Sequence, residues 1–154
     1  MILRVIATLV LCTAAITACK PQADAALVVS NAYAYAPLGS GTPGVAYLTL
    51  SNTSSAAIEV QGFASDCFAT VELHSSVINN GVSAMQAVEK IPLAAMSSVS
   101  LRPGGLHLML FEPVAAVAAG TNCQFEITYE HDQKSSIAVT LLDRSTYRPA
   151  EPVK

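Results

Sequence analysis

No stretch between Leu27 and Leu142 keeps a helical period. Short apolar runs alternate with turn residues instead, and that pattern confines the chain to an all-β fold. The runs predict strands at Leu27–Ala36, Val45–Ser51, Ile58–Phe63, Thr70–Ile78, Gly81–Val88, Ser98–Leu101, Leu106–Phe111, Cys123–Tyr129 and Ser136–Leu142. Between them, Asn79-Asn80-Gly81 is a hairpin signal because Asn and Gly tolerate positive φ. Arg102-Pro103-Gly104-Gly105 must also turn. Short strands at this spacing indicate one antiparallel sandwich or barrel. The 154 residues suffice for a single domain, and no internal repeat divides them. Abundant small and β-branched residues without Trp suit a sandwich and do not suggest disorder.

The N-terminus follows other rules. Arg4 precedes an apolar run, Val5–Ile16, which is too short for a membrane span. It ends in Ile16-Thr17-Ala18-Cys19, small residues followed directly by cysteine. A charged start, an apolar middle and a small-residue cleavage point describe a secretory signal. The cysteine makes residues 1–18 resemble a lipoprotein signal peptide, with Cys19 as the lipidated residue. An ordinary signal peptide with an incidental cysteine is the alternative. Residues 19–26 then form a tether, 27–143 the domain and 144–154 a flexible tail. Cleavage would remove Arg4 and no acidic group, moving the formal net charge from −3 to −4. Without a basic patch the chain has no means of neutralising phosphates, so nucleic acid is not an expected partner. Charged residues are only 12% of the chain, against roughly a quarter in ordinary soluble proteins.

Of four cysteines, Cys12 lies in the signal and Cys19 would carry lipid, leaving Cys67 and Cys123. In an exported chain such a pair is a disulfide candidate. Two buried free thiols or a second metal site are the rival readings, although the spacing fits no compact thiolate motif.

The chemistry-bearing residues form one pattern: His74, ten residues, Met85, twenty-one residues, His107, one residue, Met109. Successive strand residues point to opposite faces. In Leu106-His107-Leu108-Met109-Leu110 the leucines go to the core. His107 and Met109 then share the other face, about 6.5–7 Å apart along the strand. Val71 and Leu73 point inward, which sends His74 outward with Glu72. Met85 lies just past the Asn-Asn-Gly turn, where a hairpin can swing it toward the other three. All four are thus expected on a non-core face, where a methionine has little structural purpose. Thioether is soft, neutral and polarisable, and imidazole is a good copper ligand; together they select copper(I). Protons compete with metal for imidazole, so affinity is expected to weaken in acid.

This spacing resembles the hallmark of the periplasmic copper chaperone family called PCuAC, H-x10-M-x21-H-x-M. The flanks are similar too: Val71-Glu72-Leu73-His74, Arg102-Pro103-Gly104-Gly105 with the following His-Leu-Met, and Ala46-Tyr47-Leu48-Thr49-Leu50-Ser51-Asn52. The resemblance spans roughly residues 28–142. It implies a cupredoxin-like Greek-key β-sandwich that binds copper(I) through His74, Met85, His107 and Met109. It implies a periplasmic carrier with donor and acceptor partners, which either delivers copper to the CuA domain of cytochrome c oxidase or protects periplasmic copper. Lys20 follows the lipid-bearing cysteine in place of the Asp that signals inner-membrane retention, and by likeness to lipoproteins this points to the outer membrane. Neither Cys67 nor Cys123 makes a blue-copper His₂Cys site, and the tail holds no His or Met for copper(II).

Other residues have plainer readings. Met96 is expected to pack in core or loop, and His131 to be solvated in a polar turn. Glu72 is either an exposed strand residue or a partner that orients the imidazole. Tyr33, Tyr35 and Tyr47 are read as packing residues. No nucleophile–base pair, phosphate loop or paired carboxylates stand out, so catalysis is not expected. The alternatives to a carrier are a lipid-anchored interaction module of the envelope and a copper buffer or store.

Overall fold

The computed structural model describes residues 26–39, 41–79 and 82–145. The signal segment, Cys19, the tether as far as residue 25 and the tail beyond residue 145 lie outside the described residues, as do Asn80 and Gly81 of the hairpin turn.

Among the described residues ten strands form: β1 Leu27–Tyr35, β2 Gly44–Asn52, β3 Ile58–Ser65, β4 Phe68–Asn79, β5 Val82–Ala87, β6 Ile91–Leu93, β7 Ser98–Ser100, β8 Leu106–Pro113, β9 Asn122–Tyr129 and β10 Gln133–Leu142. Their order is β5-β4-β8-β2-β1-β10-β9-β3-β6, with β7 on β2. Nine correspond to the strands expected from sequence. The tenth, β6, gives no strand signal in sequence because Pro92 sits in a three-residue run; it lies at the end of the strand order and, among the described strands, pairs with β3 alone.

The sheet is mixed, which corrects the purely antiparallel expectation. β1 and β10 pair in parallel over Ala34↔Leu141 and Tyr35↔Leu142. A parallel pair needs a long connection, and here the whole intervening domain supplies it. This short seam joins two halves, β5-β4-β8-β2-β1 and β10-β9-β3-β6, which share one apolar core. Leu50, Leu73, Leu108 and Leu110 from the first half belong to the same cluster as Val60, Phe125, Ile127 and Leu141 from the second.

Two local features set the face opposite that core. Asn31 takes φ +51° inside β1, where the register with β2 slips. Asn tolerates this left-handed backbone better than most residues. Before the slip Leu27 and Val29 face the core; after it Ala32, Ala34 and Ala36 do. The bulge thus reverses the alternation and turns Tyr33 and Tyr35 to the outer face. Gly44 in turn lets β1, β2 and β8 close up, since a Cβ there would stand 2.9 Å from the Tyr35 carbonyl oxygen and 3.3 Å from Leu110 Cβ.

Cys67 and Cys123 are bonded, S–S 2.07 Å, tying the β3–β4 connection to β9. With Asp66 they form the one cluster of His, Cys, Asp and Glu ligand atoms among the described residues, but bonded sulfurs offer no thiolate to a metal. Met96 does not pack: it is 74% exposed in a turn with φ +53°. His131 is exposed, as expected. With Asp132 it takes positive φ at the centre of the β9–β10 turn, closed by Gln133 N–H donating to the Glu130 carbonyl, 3.2 Å.

Candidate metal centre

The four candidate ligands lie on three neighbouring strands. His74 on β4 is directly opposite His107 on β8, and Glu72 is opposite Met109. On the other side of β4, Ser76 is opposite Met85 on β5. Because strand positions two apart share a face, His74, His107, Met109 and Met85 all project from the same side of the sheet. His74 has His107 as its direct neighbour, with Met109 and Met85 at diagonal positions. The imidazole centroids are 6.2 Å apart.

This face is not the core, but neither is it open throughout. His107 is only 5% exposed and Met85 is 61% exposed. The cover over His107 comes in part from the face that the β1 bulge creates: Tyr33 stacks on Tyr47 with centroids 5.0 Å apart, and Tyr47 lies 6.5 Å from the His107 ring. Burial raises the Tyr47 phenol above its ordinary range, an effect that the positive charge of Arg144 partly opposes. A cavity of about 440 Å³ opens on this face, lined among others by Leu38, Tyr47, Met85, His107, Met109 and Arg144. A larger depression of about 530 Å³ is lined by Thr70, Glu72, Phe111 and Glu112 but by none of the candidate ligands. Tyr47, with Tyr33 stacked on it, therefore walls the site as well as packs. Their placement was not visible in sequence, although the switch from Leu27/Val29 to Ala32/Ala34 carried the signal.

The turn before β8 aims His107. Pro103 and Gly104 occupy the second and third positions of a type II turn, with Gly104 at φ +76° and Gly105 N–H donating to the Arg102 carbonyl, 3.0 Å. The turn fixes the Gly105 carbonyl, which accepts from Ser76 N–H at 3.1 Å and from His107 Nδ1 at 3.0 Å. A carbonyl only accepts, so Nδ1 carries the proton and Nε2 keeps its lone pair. His74 is held differently. Its Nε2 is 2.9 Å from Glu72 Oε2, and its Nδ1 is buried without a hydrogen-bond partner among the described residues. Glu72 is thus not merely an exposed strand residue: it is the imidazole's partner. Each histidine commits one nitrogen to the protein and keeps the other, and two thioethers share their face. This donor set fits a soft, low-charge ion.

The LpqE-like family, described as "Putative lipoprotein LpqE-like", matches residues 27–141. The chain is similar to the "Putative lipoprotein Lxx21020" of Leifsonia xyli subsp. xyli (strain CTCB07), 33% identical over 125 residues, which is 80% of this chain and 74% of that one. It is also similar to protein RP573 of Rickettsia prowazekii (strain Madrid E), 28% identical over 96 residues, 62% of this chain and about half, 52%, of that one. Among solved structures, the copper-bound PCuAC domain from PmoF2 superposes with a TM-score of 0.62 at 19% identity, covering 77% of this chain and 93% of that one. The copper(I) form of DR1885 from Deinococcus radiodurans gives 0.62 at 22% identity, over 80% and 83%. These two show that the domain has the cupredoxin-like β fold expected of it. The chain belongs to the LpqE-like family, which is the PCuAC family that its motif and flanks resemble.

Proposed function

We propose that this protein is a lipid-anchored copper(I) carrier of the cell envelope that binds one ion through His74, Met85, His107 and Met109. The observation that carries the reading is the register: His74 faces His107 directly, both methionines are diagonal to His74, and each ring keeps a free nitrogen. The solved domains of the same fold include copper-bound forms, which supports copper as the cargo. The neutral Met₂His₂ set leaves the loaded site at +1, which favours copper(I) over a +2 ion. It also favours carriage over redox catalysis. The lipoprotein names of the relative and the family support anchoring through Cys19, for which we propose the outer membrane.

Delivery to a CuA domain of cytochrome c oxidase is the transfer we propose. Competition with a chromophoric copper(I) chelator should give one tight equivalent, lost in the double variant His107→Ala/Met109→Ala. Copper(I)-loaded protein mixed with apo CuA domain should then pass its metal on. An unchanged affinity in the double variant would overturn the site. Intact binding without transfer would overturn delivery to CuA and make the protein a buffer.

A further inference from the structure

The two histidines are oriented by different acceptors and leave different nitrogens free. Glu72 and His74 are two apart on β4, so their side chains share a face, and the carboxylate meets Nε2 at 2.9 Å. A carboxylate accepts, so Nε2–H donates to it and the lone pair of the neutral ring is on Nδ1. On β8 the order is reversed, because the Gly105 carbonyl accepts a hydrogen bond from Nδ1–H of His107. Glu72 can act on His74 without being a ligand, since it occupies one ring nitrogen and leaves the other free.

We infer that Glu72 is a positioning residue that fixes His74 to bind copper through Nδ1, while His107 binds through Nε2. This rests on the copper(I) reading above and adds which atom of each ring faces the ion. Partners of this kind fix tautomer and ring orientation, and losing one commonly costs 10–100-fold in metal affinity. Glutamine is the informative replacement, because its amide oxygen still accepts from Nε2–H while the charge is gone.

Long-range ¹H–¹⁵N NMR of the full chain reads the tautomers directly. Metal-free wild type should show His74 protonated at Nε2 and His107 at Nδ1. Copper(I) should then shift Nδ1 of His74 and Nε2 of His107. Glu72→Ala should release His74 into a tautomer mixture and weaken copper(I) about 10–100-fold by chelator competition. Glu72→Gln should keep the tautomer and recover most of that affinity. A His74 that stays Nε2-protonated in Glu72→Ala, or one whose Nε2 responds to copper, would overturn the inference. Copper(I) that shifts neither ring in the wild type would overturn the copper site itself, and the assignment of ligating nitrogens with it.

Discussion

The two ends of β4 are built on opposite terms. At its start the chain is closed: Cys67 is bonded to Cys123, and Phe68 is buried in the common core. Seven residues on, about 23 Å along an extended strand, His74 keeps an unpartnered Nδ1. One pair further, Ser76 faces the exposed Met85. Covalent closure is therefore placed far from the residues that keep unsatisfied donor atoms. An unpaired buried atom is a cost to folding. The closed end offsets that cost without touching the site. Stability and copper binding should accordingly be separable by mutation, and the largest effects on folding should come from the closed end.

The strongest test of that separation is removal of the disulfide. Its partners are 56 positions apart, and a loop of that length is worth about 4 kcal/mol on the chain-entropy model. Cys67→Ala/Cys123→Ala should lower the urea unfolding free energy by about that amount. Copper(I) affinity, measured where the variant is still folded, should stay unchanged. A parallel loss of affinity would show that the closed end also shapes the ligand face.

A smaller effect is expected at Asn52, which staples a corner away from both cysteines and candidate ligands. It is buried, and its Nδ2 lies 2.7 Å from the Ala56 carbonyl oxygen, 2.9 Å from that of Ala94 and 3.2 Å from that of Leu93. Its Oδ1 accepts from Ser54 N–H at 2.9 Å and from Ser54 Oγ–H at 2.8 Å. Asn52→Ala would strand several of these groups at about 1–3 kcal/mol each before relaxation. We expect a net loss of about 2 kcal/mol by urea unfolding, again with copper(I) affinity retained.

What was legible in the sequence divides along the same line. Alternation in Leu106-His107-Leu108-Met109-Leu110 placed the leucines in the core and His107 and Met109 opposite them, because a period of two follows from backbone geometry alone. Arg102-Pro103-Gly104-Gly105 was readable as a turn for an equally local reason. That its last carbonyl would orient His107 was not readable, since this depends on where β4 and β8 meet. The Asn31 bulge escaped because one inserted residue shifts the phase without changing composition. Glu72 was visible on the His74 face, but only side-chain rotamers bring its carboxylate to Nε2. In sequence Asn52 is no more than a flank of the copper motif; its role depends on carbonyls about forty residues away.

The smallest effect on folding, and the sharpest test of the open end, is expected at Met85. It is paired in register with Ser76 on a strand at the end of the strand order, and more than half of its surface is exposed. A surface substitution of this kind changes stability by no more than about 0.5 kcal/mol. Met85→Ala should therefore unfold at nearly the wild-type urea concentration. Its thioether has no structural duty that explains it, yet it lines the cavity shared with His107 and Met109. If copper(I) uses it, affinity should fall at least tenfold, about 1.4 kcal/mol of binding free energy. That ratio of effects is the reverse of the one expected for the cysteine pair. A Met85→Ala variant that loses stability but not affinity would make Met85 a packing residue and reduce the open end to the three residues on β4 and β8.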